Sequence, residues 1–143
     1  MCLSGAEALA LILSECREAN LATLVIWMKG EPEDSLHRAT NESIRLREAS
    51  AQFWDEKDDI GAELARKLKR RGSIAWDIYL GYLPGVTWGR TPPRPKSWVH
   101  QMGEPRWVGP EHCQPDELLG RLSAVVTAIT SQITQSNGED QFA

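Results

Sequence analysis

The sequence predicts one α/β domain, with a parallel β–α–β unit, a C-terminal β-hairpin, and helices flanking a mixed sheet of about four strands. Three observations predict it. "LATLVIWM", residues 21–28, is short, continuously apolar and bounded by polar residues, which suits a strand covered on both faces. "SIAWDIYLGYL", residues 73–83, alternates apolar and other residues with period two, the mark of a strand with one buried face. The segments before, between and after them carry apolar residues at helical spacing.

The first helix opens on Ser4 and Glu7, spaced as a capping box in which each side chain satisfies an amide of the first turn. Leu9, Ile12, Leu13 and Cys16 then form its buried face, and the pattern stops near Asn20. After the strand at 21–28, "GEPEDS" has the turn and cap chemistry that opens a second helix. Ala39, Ser43, Leu46, Ser50 and Phe53 carry it on with a small, partly polar inner side. The acidic run "WDEKDDIG" interrupts that pattern, and Asp58 or Asp59 is placed to cap a third helix with Ile60, Leu64 and Leu68 inward. Whether 34–71 is two helices or one bent helix stays open. Basic residues in the last turn, followed by Gly72, agree with the helix dipole and a left-handed C-terminal cap.

In the strand at 73–82, Ile74, Trp76, Ile78, Leu80 and Tyr82 share one face, which places Trp76 and Tyr82 in the core. Residues 83–96 hold four prolines and no periodicity. Two short strands follow at 97–102 and 105–108, joined at Gly103-Glu104, and Pro105 restricts the second to an edge because it has no amide to donate. Pro115, Asp116 and Glu117 open the last helix, whose stripe is Leu118, Leu122, Val125, Val126, Ile129 and Ile133. The domain is expected to span 1–136, with 137–143 as a flexible tail.

This order of elements resembles the thioredoxin-like fold, most concretely over residues 95–134. Pro95 precedes "SWVHQ", then come Met102-Gly103-Glu104, "RWVG" and an amphipathic helix from Pro115. The resemblance implies that the family's cis-proline falls at Pro95 and that the hairpin completes a four-stranded sheet. It also marks a departure. The family's redox members carry Cys-x-x-Cys between the first strand and the next helix, where this chain has "WMKGEPEDSLH" with no thiol. The dithiol chemistry has no groups to run on there, so the resemblance implies a scaffold for binding.

Composition narrows the function. The chain has 143 residues, 41% of them hydrophobic, and a net charge of −4, which fits one domain and argues against general affinity for nucleic acid phosphates. No apolar run approaches the ~20 residues that span a bilayer. "ALALILSEC" lacks the basic flank of a signal peptide and reads as a mature helix. Three cysteines without paired spacing predict a reducing, cytoplasmic setting.

Two sets of residues compete for the functional role. Trp88, Arg90, Pro92, Pro93, Trp98 and Trp107 make an aromatic, proline-stiffened stretch, and such residues anchor protein interfaces. They predict a non-catalytic protein-binding domain, of the assembly- or maturation-factor type, that needs no cofactor. The alternative is a small thiol- or metal-dependent enzyme, or a ligand-binding protein, built on Cys113, His112, His100 and Asp77. Cys113 before a helix is a reasonable place for a thiolate, yet an unpaired Cys there is more often structural. The His and Cys spacings lack the close pairs of a zinc site, and "GRTPPRP" has too few glycines to cradle phosphate. A homodimer through the first helix or an exposed strand edge is compatible with either reading.

Overall fold

The structure is a computed structural model that describes residues 3–17 and 21–139. Cys2 and residues 140–143 of the expected tail lie outside the described residues, as does the side chain of Ile133. In chain order the elements are α1 (Leu3–Glu15), β1 (Leu24–Met28), α2 (Leu36–Ser43), β2 (Ala51–Asp55), α3 (Asp59–Lys67), β3 (Ile78–Gly81), β4 (Ser97–His100) and α4 (Leu118–Glu139). Short 3₁₀ turns occupy Ile44–Leu46, Pro105–Trp107 and Pro115–Glu117. The mixed α/β class is therefore as the sequence predicts.

The sheet differs from the expectation. The described strands form two separate pairs, β1 with β2 in parallel and β3 with β4 antiparallel. Segments 21–28 and 73–82 thus sit in different sheets, and one four-stranded sheet is not formed among the described residues. All described peptide bonds are trans, that of Pro95 included.

The strand β2 replaces the second half of the expected long helix. Residues 51–55 pair with β1 in register from Leu24–Ala51 to Met28–Asp55. What stops α2 is a side chain from the strand itself. The Gln52 amide donates to the carbonyls of Ser43 at 2.9 Å and Leu46 at 2.8 Å, and its oxygen accepts from the Trp27 indole at 2.9 Å. One glutamine thereby satisfies carbonyls that a helix end leaves without partners. At the other end Ser35 caps α2, its hydroxyl accepting from the Arg38 amide, as "GEPEDS" predicts.

Nor is β1 covered on both faces. Val25 and Trp27 turn toward a core of Ala6, Leu13, Ala39 and Leu46, whereas Leu24 and, on the neighbouring strand, Phe53 remain 59% and 54% exposed.

In α1, Ser4 lies within the helix, so it is not the residue that precedes it. The helix is apolar nearly all round because it lies between two cores. Leu13 belongs to the cluster under β1, and Ile12 to a second cluster with Val99, Cys113, Leu118, Leu122 and Val125. α1 packs on α4, and α4 covers β3 and β4. A β-carbon at Gly81 would stand 2.7 Å from Val125 Cγ1, so the close approach of α4 to β3 requires glycine there.

A third cluster joins α3 to the segment after β4 through Leu64, Ala65, Ala75, Met102 and Trp107. Asp58 occupies the cap position of α3, yet its own side chain makes no capping bond. Asp55 caps instead, accepting the amides of Asp59 at 3.2 Å and Ile60 at 2.8 Å. At the far end Lys69, not Gly72, supplies the left-handed residue that closes the helix. It has φ 63, and Arg70 N–H bonds back to the Ala65 carbonyl at 2.7 Å. Gly72 is also left-handed, at φ 77, but stands beyond that closure.

The expected ten-residue strand is cut to four. Asp77 adopts φ 53, which breaks the alternation, and Ile74 and Trp76 turn outward instead of joining the core. The expected partner strand at 105–108 is a 3₁₀ turn opened by Pro105, so β4 pairs back onto β3. The last helix starts as predicted, with a box between Gln114 and Glu117, and runs on as helix through Glu139.

Candidate functional site

Four expected residues of the alternative site do come together at the end of β4. His100 N–H bonds to the Glu111 carbonyl at 3.0 Å and Cys113 N–H to the His100 carbonyl at 2.9 Å, which sets residues 111–113 alongside the strand. The rings of His100 and His112 lie 5.5 Å apart, edge to face. The Asp77 carbonyl accepts from the Gln101 amide at 3.2 Å, and its carboxylate accepts from the Tyr79 hydroxyl at 3.1 Å.

Burial here disfavours a thiolate at Cys113. Cys113 is buried, and burial pushes its thiol pKa up; Arg121 opposes this, while Glu117 and Asp77 add to it. The group stays a thiol at neutral pH, whereas a nucleophile must be a thiolate. The His100 ring is also buried. Burial, and next the charge of His112, hold its pKa below the ordinary imidazole value. Among the described residues no group of three or more His, Cys, Asp and Glu side chains is placed to hold a metal ion.

The six expected contact residues divide between core and surface. Trp107 is fully buried and donates from its indole to Ser73 Oγ at 2.8 Å, so its place on a contact surface is corrected to a core position. Trp98 is half-buried and stacks on His100 with centroids 5.4 Å apart. It also meets Trp107 edge to face. Pro92 is buried and Pro93 half-buried. Only Trp88 and Arg90 of the set project into solvent.

Those two lie in the long connection between β3 and β4, and its geometry explains their exposure. The Val86 amide returns to the Leu83 carbonyl at 3.3 Å and Gly85 has φ 80, the arrangement of a type II turn with Pro84 ahead of the glycine. The Lys96 amide closes the connection onto the Gly81 carbonyl at 2.8 Å. Buried Pro92 and Pro95 pin its second half. The Trp88 ring rests edge-on against Tyr82, with centroids 5.6 Å apart, yet stays 42% exposed. Val86 is exposed beside it in sequence, as are Arg94 and Lys96 farther along. Arg94 and Lys96 fall in the 90–96 proline loop that the sequence offers as part of the contact surface, whereas Val86 has no such signal.

A second feature was not foreseen. A groove of about 960 Å³ lies outside the carboxyl ends of β1 and β2, between Met28, Lys29, Asp58, Arg71 and the exposed Ile74 and Trp76. In parallel sheets that end is where ligands sit. Its one signal in sequence, the Trp76 side chain, was read as core because the turn at Asp77 has no sequence mark.

No family model matches the chain, no curated protein matches it, and no solved structure matches it. No described helix is long and apolar enough to cross a membrane.

Proposed function

We propose that the chain is a non-catalytic protein-binding domain, of the assembly- or maturation-factor kind, whose contact surface is the connection between β3 and β4. The observation that carries this reading is Trp88, which is braced by Tyr82 and still 42% open to solvent. A Trp side chain presents roughly 250 Å², so about 100 Å² is left for a partner to cover, worth ~2–3 kcal/mol. Holding the indole on a hydrogen-bonded turn and a proline-pinned loop lowers the ordering cost of binding. The buried, protonated Cys113 and the neutral, buried His100 weigh against catalysis at the other cluster. Of the thioredoxin-like resemblance, the reading keeps only the missing Cys-x-x-Cys.

The test is capture of partners from the native cell by tagged protein and by its Trp88→Ala and Arg90→Ala variants. Both variants are expected to lose a partner while keeping the far-UV spectrum. A partner retained at full yield by both would end the reading.

A second reading rests on the groove at the carboxyl ends of β1 and β2. Asp58, Glu63 and Glu104 line it together with Lys29, Arg66 and Arg71, and Trp76 offers an exposed ring, so the groove fits a small zwitterion that bears an amine. A panel of amines and amino acids that leaves thermal unfolding unmoved would remove it.

A further inference from the structure

We propose that the connection between β3 and β4 docks an acidic segment of the partner polypeptide, with aliphatic side chains interspersed among its carboxylates. This rests on the contact surface proposed above and adds the chemistry of what it holds.

The charge pattern carries the inference. From Ile78 to Gly103 the chain contains no acidic residue, although its net charge is −4. Within that stretch Arg90, Arg94 and Lys96 are all exposed, and none forms an ion pair among the described residues. Elsewhere four arginines have carboxylate partners, Arg17 with Glu48, Arg38 with Asp34, Arg45 with Glu42 and Arg66 with Glu63. Lys67, Lys69, Arg70 and Arg71 form no ion pair among the described residues either, but they stand at the C-terminal end of α3, where the helix dipole favours cations. The connection is therefore a basic, acid-free stretch on an acidic protein, with three cations that lack both a carboxylate among the described residues and a helix end to answer them.

The apolar groups decide between classes of anion. Trp88 and Val86 are exposed on the same connection, so a ligand must offer side chains as well as charge. Single-stranded nucleic acid takes successive aromatic platforms along a basic track, and here one indole is exposed among the three cations. A polypeptide alternating carboxylates with Leu or Ile meets both needs: the carboxylates reach guanidinium and ammonium groups, and the aliphatic groups cover the indole face.

The probe is a labelled pool of dodecapeptides randomised among Asp, Glu, Leu and Ile, read by fluorescence anisotropy. A pool with Lys replacing the acids and a thymidine dodecanucleotide serve as comparisons. The acidic pool is expected to bind the protein, and to bind less at high salt because exposed charges are screened. The joint Arg90→Gln, Arg94→Gln and Lys96→Gln variant is expected to weaken it about tenfold, and Trp88→Ala by a similar factor. Far-UV and near-UV spectra check that each variant is folded; the single Arg94→Gln protein, expected to lose part of the affinity, repeats the test with one side chain. Equal binding of the lysine pool, no binding of the acidic pool, or tighter binding of the oligonucleotide would overturn the inference. Should Trp88→Ala lose its native partner while the triple variant keeps it, the contact surface stands and its acidic occupant falls. Should both variants keep it, both proposals fall.

Discussion

The Nδ1 atom of His100 accepts the backbone N–H of Met102 at 3.1 Å, inside a core where neither residue is exposed. An acceptor at Nδ1 places the neutral ring's proton on Nε2, a buried atom without a hydrogen-bond partner. Protonating the ring would turn Nδ1 into a donor facing another donor. It would also set a cation beside His112 and Arg70, with the Glu111 charge and the nearby Trp107 backbone opposing them. Burial leads these causes and the pKa is lowered.

The sign for stability follows from that direction. The folded pKa lies below the unfolded value of about 6.5, so the unfolded chain takes up the proton first as pH falls. This contribution is whole above about pH 6.5 and is lost below it, down through the folded pKa. Urea midpoints are expected to fall between about pH 7 and pH 5. His100→Asn keeps an acceptor for Met102 but cannot titrate. It is expected to lose about 2–3 kcal/mol from the emptied space beside Trp98 and Trp107 and to show a shallower acid slope. Equal slopes in the two proteins would refute the assignment.

Cys113 is expected to be inert in the folded protein. Its raised pKa follows from burial first, with Glu117 and Asp77 adding to it against Arg121. In a protein carrying Cys2→Ser and Cys16→Ser, a disulfide reagent near neutral pH should label the remaining thiol only after denaturant is added. Labelling of the native double variant at the rate of a free thiol would restore the nucleophile reading.

The two acids before α3 should respond in opposite ways. Asp55→Ala removes the acceptor of both the Asp59 and Ile60 amides and is expected to cost about 1–2 kcal/mol in chemical unfolding. Asp58→Gly removes no capping bond and relieves a non-glycine residue at φ 57, so it should be neutral or stabilising by up to ~1 kcal/mol. A larger loss at Asp58 than at Asp55 would reverse the cap assignment.

That pair also shows how far the sequence could be read. Acid at the head of α3 was legible, because helix dipoles favour it. Which acid caps depends on β2 ending at Asp55, and β2 itself was hidden. The strand "AQFWD" has no β-branched residue, and Phe53 happens to continue the spacing of Ala39, Ser43, Leu46 and Ser50. Pairing with β1 and the Gln52 bonds to Ser43 and Leu46 override that local preference. The candidate contact surface was legible at Trp88 and Arg90, whose neighbours are turn-forming. Trp107 was misplaced because Pro105 was read as an edge-strand start, whereas in a 3₁₀ turn it rotates the indole inward onto Ser73. The stretch from Ser73 to Leu83 was overread, since alternation cannot register the reversal at Asp77.

Tyr82 offers a test of how Trp88 is braced. Its hydroxyl is buried without a partner, and burial raises its pKa to about 12. A raised folded pKa means a contribution that is intact below the unfolded value near 10 and lost as pH rises through about 12. Tyr82→Phe deletes the unpartnered hydroxyl and keeps the ring against Trp88. It is expected to gain about 1 kcal/mol at neutral pH and to unfold less steeply above about pH 10. Tyr82→Ala removes the brace as well, so the indole loses its edge-on contact and Trp88 emission should shift to the red. Because Trp88 is one of six tryptophans, the shift is read as the difference between Tyr82→Ala proteins with and without Trp88→Phe. An unchanged difference spectrum would mean that the indole is positioned by the turn at Pro84-Gly85 alone, and that Tyr82 plays no part in presenting it.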